Sequence, residues 1–238
     1  MFIAASRSED LTSYLKPTAI IDSDHPSIRD YAARAGGDGD DPIDCAIRLY
    51  LAVRDGIWYD PYAPFHLPDH YRASFVLEQG KGFCIPKASL LCALARARNI
   101  PARLGFANVR NHLATRQLLE FLGSDLFVYH AFVEMHLAGK WVKATPAFNR
   151  ELCERHKVPP LEFDGRNDSI FQPYNEQNRK FMEYVAFLET CADVPVDRIL
   201  AAWESAYGRE RVRGWIRDQE ARESKKTPDF RHEDVYQS

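Results

Sequence analysis

Apolar residues recur along the chain with two periods, one typical of helices and one typical of strands. A helical period predicts helices over residues 26–34, 42–55, 87–98 and 196–225, with a shorter one at 115–122. Alternating or continuous apolar runs predict strands over 102–109, 127–137 and from 140 to 145. The helix at 196–225 carries Trp203 and Trp215 on its apolar side, so we expect it to dock on the core rather than to form a dimer surface.

Two stretches interrupt this pattern. Residues 36–41, Gly-Gly-Asp-Gly-Asp-Asp, read as a flexible polar connector. Residues 56–79 are rich in aromatic residues and prolines, and we predict a long irregular segment of the kind that often forms binding or lid elements. Its aromatic side chains could line a cleft or could pack the segment onto the core: Trp58, Tyr59, Tyr62, Phe65, His66 and Tyr71.

The length of 238 residues fits one domain with elaborations. We expect residues 1–238 to form that single domain, with 1–40 as an N-terminal elaboration, 41–150 as the catalytic core, and 151–238 as C-terminal loops and a long helix. The oligomeric state stays open.

Charge and hydropathy narrow the range of partners. A net charge of −3 gives no general attraction to nucleic acid or to an anionic membrane. The arginines at 209, 211, 213 and 217 alternate with acidic residues, as on a solvated helix face. No run of about 18 apolar residues could span a bilayer, and the N-terminus lacks a basic region followed by an apolar run. We therefore expect a cytoplasmic protein that binds neither nucleic acid nor membrane.

The cysteines suggest chemistry rather than a scaffold. There are five, at positions 45, 84, 92, 153 and 191, with no Cys-x-x-Cys pair. An odd number at wide spacing argues against a disulfide framework and against a structural zinc site. Cys153-x-x-His156 and the scattered histidines do not assemble a recognised ligand pattern, so we expect no metal and no cofactor.

Cys84 lies where a glycine-flanked turn enters a predicted buried helix. A free thiol has a pKa of about 8.5, so a nucleophilic cysteine needs surroundings that favour its thiolate. Unpaired amides and the positive end of the dipole at a helix N-terminus would stabilise a thiolate and later an oxyanion. Cys92 lies on the core stripe of the same helix. The alternative is that Cys84 is one more small buried apolar residue.

His130 is the candidate base. Alternation along the strand 127–137 places one set of residues on the core face: Phe127, Tyr129, Ala131, Val133, Met135 and Leu137. His130 projects from the opposite face, where it could be offered to a cleft or could be a hydrogen-bonded structural histidine.

The hairpin after this strand predicts neighbours for His130. With Ala138-Gly139 as a two-residue turn, the paired positions are 137/140, 136/141, 134/143, 132/145 and 130/147. Glu134 then faces Lys143, an opposite-charge pair that supports the register. Thr145 becomes a diagonal neighbour of His130, with roughly 7 to 8 Å between the two backbone positions. Asn149 lies an even number of residues after Thr145 and so has the same parity along the strand.

Four motifs around these residues resemble those of the transglutaminase-like superfamily, which is related to papain. They are Gly82-Phe-Cys84, Asn99-Ile-Pro-Ala-Arg103, His130-Ala-Phe-Val-Glu134 and Trp141-Val-Lys-Ala-Thr-Pro146, and they follow the order of the family over about 70 residues. The resemblance implies an α+β fold with a papain/transglutaminase-like core. In that fold the catalytic cysteine begins a buried helix packed on an antiparallel β-sheet, with additional helices around it.

The resemblance also implies a triad in which Cys84 attacks a carbonyl, His130 takes its proton, and a thioester forms. This chain departs from the family at the third position, because Thr145 stands before Pro146 where the family has an aspartate. Thr145 could accept a hydrogen bond from the imidazole, Asn149 could orient the ring as an asparagine does in papain-like enzymes, or Asp164 could fold back. We favour Asn149 or Thr145.

Two functions follow. The first is enzymatic: thiol acyl chemistry on an amide or peptide, including a protein substrate, with peptidase-like or amidase-like hydrolysis favoured over transfer to an amine. The second is a binding protein that keeps the fold without the chemistry, because the triad aspartate is missing.

Overall fold

The computed structural model describes residues 10–112, 114–171, 174, 181–221, 230 and 233. Its α-helices are α1 (Pro26–Gly36), α2 (Pro42–Gly56), α3 (Ala73–Gln79), α4 (Cys84–Ala97), α5 (Arg116–Leu122), α6 (Arg150–Arg155), α7 (Val196–Tyr207) and α8 (Arg209–Ala221). Its strands are β1 (Trp58–Tyr59), β2 (Lys81–Gly82), β3 (Ala102–Asn111), β4 (Leu126–Leu137), β5 (Lys140–Ala144) and β6 (Met182–Cys191). The fold is α+β, as predicted.

The main sheet is antiparallel throughout, with strand order β5-β4-β3-β6. The β4–β5 hairpin has the predicted register, since Leu137 pairs with Lys140 and Glu134 with Lys143. Ala138 and Gly139 both have positive φ, at 47° and 83°, as a two-residue hairpin turn requires. The β5 ladder ends at Ala144, so the pairs predicted beyond it, 132/145 and 130/147, do not form.

Helix α4 lies at the centre of the core. It contacts α1, α2 and α3 as well as β3 and β4 of the sheet. Its residues from Ile85 to Arg96 are all buried, which explains why apolar side chains occur around the whole helix and not along one stripe. Of the residues predicted for the core face of β4, Ala131, Val133, Met135 and Leu137 are buried, whereas Phe127 and Tyr129 are only half-buried.

Two predictions about the helices are wrong. The segment 56–79 is irregular only in part, because it ends in helix α3, where Ala73 and Val76 are buried one turn apart. The predicted long helix at 196–225 is two helices, since the chain breaks at Gly208 with φ of 91°. Residues 222–225 of that prediction lie outside the described residues.

Strand β6 was not predicted, and it forms one edge of the sheet. Three of its large apolar side chains, Val185, Phe187 and Leu188, are 52 %, 56 % and 40 % exposed. Within the described part of the chain, β6 pairs with β3 alone.

Candidate active site

Cys84 is the first residue of α4. The short strand β2 delivers the chain to it, and a side chain at Gly82 would place its Cβ only 2.9 Å from Pro86 in the first turn of the helix. Because the backbone passes so close to Pro86, position 82, two residues before Cys84, requires glycine. The Cys84 sulfur lies within reach of three backbone amides, those of Ala131, Ile85 and Cys84 itself, each of which favours the thiolate.

His130 lies in β4 and is only 5 % exposed. Its ring centroid lies 5.4 Å from that of Phe171 and 6.4 Å from that of Tyr184. Its Nε2 atom is buried and has no hydrogen-bond partner among the described residues. His130 and Cys84 line the same cavity, which has a volume of about 70 Å³. The structure therefore brings together the predicted nucleophile and the predicted base.

Burial sets the protonation state of both groups. It raises the pKa of the Cys84 thiol to about 11, despite the opposing effect of the three amides. It lowers the pKa of the His130 imidazole to about 4. At neutral pH the thiol is therefore protonated and the imidazole is neutral, which is the state that a general base needs before it accepts a proton.

Thr145 occupies the position next to β5 where the family has its aspartate. Its side chain is 1 % exposed. The hydroxyl of Tyr184, on β6, lies near that of Thr145, and this contact opposes the rise in the Tyr184 pKa, which burial takes to about 12. Among the described residues, these two hydroxyls and the imidazole Nε2 have no hydrogen-bond partner within 3.5 Å.

Asn149 lies apart from His130 and Thr145. Its Oδ1 accepts a hydrogen bond from the Tyr59 amide at 2.7 Å, and its Nδ2 donates to the carbonyls of Arg54 at 2.6 Å and Ile57 at 2.8 Å. The structure thus places the Asn149 carboxamide on the backbone after α2, with no bond to His130.

Asp164 also lies apart from His130. It is exposed, and its carboxylate accepts hydrogen bonds from the amides of Arg166 and Asn167 in its own turn. These bonds lower its pKa to about 2.

Aromatic side chains form most of the cavity wall. Of the predicted aromatic segment, Tyr59 and Phe65 line the cavity, while the Tyr62 hydroxyl instead donates to Glu233 at 2.8 Å. The described residues that line the cavity are Tyr59, Pro61, Phe65, Phe83, Cys84, Leu118, Phe121, Leu122, Phe127, Val128, Tyr129, His130, Trp203, Tyr207 and Trp215. Among them, His130 alone belongs to a cationic residue type, and none is acidic.

Three contributors to this site were missed by the sequence reasoning. Tyr184 belongs to β6, whose valine and aromatic residues are typical of a strand and could have revealed it. Trp203 and Tyr207 are on the apolar side of a predicted helix, but the sequence contains no signal that places that helix beside Cys84.

Two further properties of the described residues bear on the site. No three side chains of histidine, cysteine, aspartate or glutamate in the described ranges stand close enough together to bind one metal ion. No helix among the same residues is both long enough and apolar enough to cross a membrane.

Solved structures are similar to this chain to different degrees. A proposed cysteine protease from Cytophaga hutchinsonii superposes with a TM-score of 0.51 at 16% identity, over 82% of this chain and 51% of the other. A proposed protease from Parabacteroides distasonis gives 0.36 at 15% identity, over 57% and 25% of the two chains. The arylamine N-acetyltransferase from Mycobacterium abscessus gives 0.39 at 15% identity, over 56% and 46%. The chain thus spans about half the length of the first of these proteins and less than half the length of the other two.

Sequence comparison gives the family. No curated protein matches the chain. Residues 29–146 match the model of the transglutaminase-like superfamily, and this segment contains Cys84, His130 and Thr145. With the α+β fold and its core motifs, this match shows that the chain belongs to the transglutaminase-like superfamily.

Proposed function

We propose that this protein performs acyl chemistry on an amide or peptide through a thioester, with Cys84 as nucleophile and His130 as general base. One observation carries the proposal: Cys84, at the N-terminus of a buried helix, and His130, on the facing strand, line the same cavity. Both residues lie in the segment that matches the transglutaminase-like superfamily, in motifs that resemble those of the family.

The chemistry follows from the protonation states. His130 takes the thiol proton while the Cys84 sulfur bonds to the substrate carbonyl carbon. The amide nitrogen then leaves as an amine and receives that proton from His130, which leaves a thioester on Cys84. The backbone amides beside the sulfur favour the negative charge that develops on it.

We favour water as the acceptor of the thioester, which makes the reaction a peptidase-like or amidase-like hydrolysis and not a transfer to an amine. The fold of a proposed cysteine protease superposes on 82% of this chain, and this likeness supports hydrolysis. His130 then deprotonates the water that releases the acid.

The cavity indicates which substrate groups fit. Its wall is largely aromatic, and the described residues of the wall include no carboxylate or lysine to neutralise a charged group. Burying an unpaired charge costs far more than burying an apolar group. A small uncharged acyl or side-chain group therefore suits the space of about 70 Å³.

The surroundings of Thr145, at the third position of the triad, support a second function. His130 Nε2 and Thr145 Oγ1 are buried with no hydrogen-bond partner among the described residues, and no carboxylate of those residues pairs with the imidazole. A binding protein that retains the fold and the apolar cavity would need no such pair.

We also propose a cytoplasmic location. All five cysteines are free thiols in the structure, as in proteins of a reducing compartment.

The rate of Cys84 alkylation by iodoacetamide between about pH 5 and pH 9 separates the two functions. We compare the wild type with His130→Ala and use Cys84→Ala as the labelling control. If His130 is the base, the wild-type rate is high and nearly flat at neutral pH, because the imidazole is already neutral. The rate in His130→Ala is then lower, and it rises tenfold per pH unit in proportion to the fraction of Cys84 that is thiolate. Equal rates that both follow hydroxide would support the binding protein instead.

A further inference from the structure

The strand that carries His130 is irregular immediately before it. Between the pairs Ala107–His130 and Val109–Phe127, two residues of β4 face a single residue of β3. Tyr129, the second of those two, has a φ of +60°, a left-handed conformation that residues other than glycine rarely adopt. His130 is the first residue after this bulge, so the direction of its side chain depends on the backbone of the bulge.

Helix α7 bonds to the backbone that the bulge removes from the sheet. Trp203 Nε1 donates to the Val128 carbonyl at 2.8 Å. The Tyr207 hydroxyl accepts from the Val128 amide at 2.8 Å and donates to the Leu126 carbonyl at 3.0 Å. Two side chains of one helix thus bind both polar groups of Val128.

The opposite side of the bulge is also bonded. The Tyr129 amide donates to Asn108 Oδ1 at 3.2 Å. Asn108 is the β3 residue that faces the bulge. Each residue of the bulge therefore has a side-chain partner, and without these partners the unusual backbone of Tyr129 would have no support.

Trp203 and Tyr207 also meet the site directly, because both line the cavity that contains Cys84 and His130. The Trp203 ring centroid lies 6.1 Å from that of Phe83, the residue before Cys84. Helix α7 begins at Val196, well beyond residues 29–146 that match the family model, so the family pattern assigns no role to it.

We infer that Trp203 and Tyr207 are positioning residues that hold the bulge at Val128 and thereby direct His130 toward Cys84. This inference rests on the proposed function, because it acts through His130 as the base. It predicts that the C-terminal helices contribute to reactivity and not only to the wall of the cavity.

The central experiment is Trp203→Phe, which keeps an aromatic ring and removes the N–H donor. We expect Cys84 alkylation at pH 7 to fall about tenfold, because a base displaced by less than 1 Å loses much of its effect. Tyr207→Phe, which removes the hydroxyl, should give a similar loss. Trp141→Phe is the matched control: Trp141 lies on β5, outside the lining of the cavity, and its ring centroid lies 5.3 Å from that of Tyr14. Its rate should stay within about twofold.

A double-mutant cycle separates positioning from general support of the fold. If Trp203 acts through His130, then Trp203→Phe causes no further loss in the His130→Ala background. An equal loss in both backgrounds, or a wild-type rate in Trp203→Phe, would overturn the inference.

A spectroscopic readout keeps the inference apart from the proposed function. The imidazole nitrogen signals of His130 in NMR spectra should shift in Trp203→Phe and stay unchanged in Trp141→Phe. If His130→Ala alone leaves the alkylation rate unchanged, the proposed function fails, and these signals then decide whether α7 positions the ring. Unchanged signals in Trp203→Phe would contradict the positioning role.

Discussion

Two buried polar clusters lie beside the first turn of α4, and they differ in how well their atoms are bonded. The first, the α2 tie, consists of Lys87 and Asn149. Both donate to the carbonyls of Arg54 and Ile57 where α2 ends, with distances of 2.6 to 2.9 Å. Burial lowers the pKa of Lys87 well below its usual range. The carbonyls at the end of the helix nevertheless have their donors.

The second cluster, the imidazole cluster, consists of His130, Thr145 and Tyr184. His130 and Thr145 are as buried as the α2 tie and Tyr184 is half-buried, yet His130 Nε2 and the hydroxyls of Thr145 and Tyr184 have no hydrogen-bond partner within 3.5 Å among the described residues. Nearly all buried polar groups in proteins are bonded, so such exceptions need an explanation.

The difference separates a structural role from a chemical one. A cluster such as the α2 tie, in which each side chain donates to carbonyls at the end of α2, stabilises the fold. The imidazole cluster retains capacity for a substrate or a proton beside the cavity that contains Cys84. Asn149, a sequence candidate for the catalytic site, has the bonding of the first kind.

Removal of Asn149 tests the α2 tie and has the largest expected effect. Asn149→Ala leaves the buried Tyr59 amide without its acceptor, and we expect a loss of about 3 kcal/mol in the free energy of unfolding. Urea denaturation measures it, with the exposed Asn167→Ala as a control that should change by less than about 0.5 kcal/mol. A stable Asn149→Ala protein whose Cys84 alkylation falls to the level of His130→Ala would instead show that Asn149 orients the imidazole.

Acid tests the imidazole cluster. The pKa of His130 in the folded protein, about 4, lies below its ordinary value of 6.5. Between these two pH values the imidazole is protonated in the unfolded chain and neutral in the folded protein. The stability due to neutral His130 is complete above about pH 6.5 and is lost as the pH falls toward 4. From pH 7 to pH 5 we expect a loss of about 2 kcal/mol. His130→Gln, which cannot titrate, should lack this part of the loss; an identical pH dependence would show that the ring is hydrated.

Restoring the family's acid at the third position is expected to have the smallest effect. In Thr145→Asp a carboxylate near Nε2 would raise the pKa of His130 and favour an imidazolium–thiolate pair. We expect Cys84 alkylation at pH 7 to rise about tenfold, or about 1.4 kcal/mol, and its acid limb to move to higher pH. Thr145→Val is the neutral control. If the two variants behave alike, position 145 does not act on the imidazole.

Much of the fold could be predicted because local patterns determine it. Helices α1, α2, α4 and α5, strands β3 to β5 and the hairpin register follow from periodicity and turn residues. The break at Gly208 was missed because the apolar spacing continues across it, and α3 because aromatic and proline residues mask its start.

The site could be predicted only where a motif lies within one element. Cys84 and His130 were found from their own segments and line one cavity in the structure. Tyr184, Trp203 and Tyr207 come from distant parts of the chain, and no local spacing relates them to Cys84. Asn149 was predicted near His130 because the alternation of side chains along the strand would place both on one face. In the structure it instead bonds to the end of α2, a contact that depends on tertiary structure.

The position of β6 at the edge of the sheet has a consequence for motion. An edge strand with solvent-exposed apolar side chains and one paired neighbour opens by local unfolding more readily than the strands inside a sheet. Its amide protons should therefore exchange with deuterium sooner than those of β3 and β4. Each such opening would carry Tyr184 away from the His130 ring while α4 stays folded, so water could reach the imidazole from the side opposite the aromatic cavity.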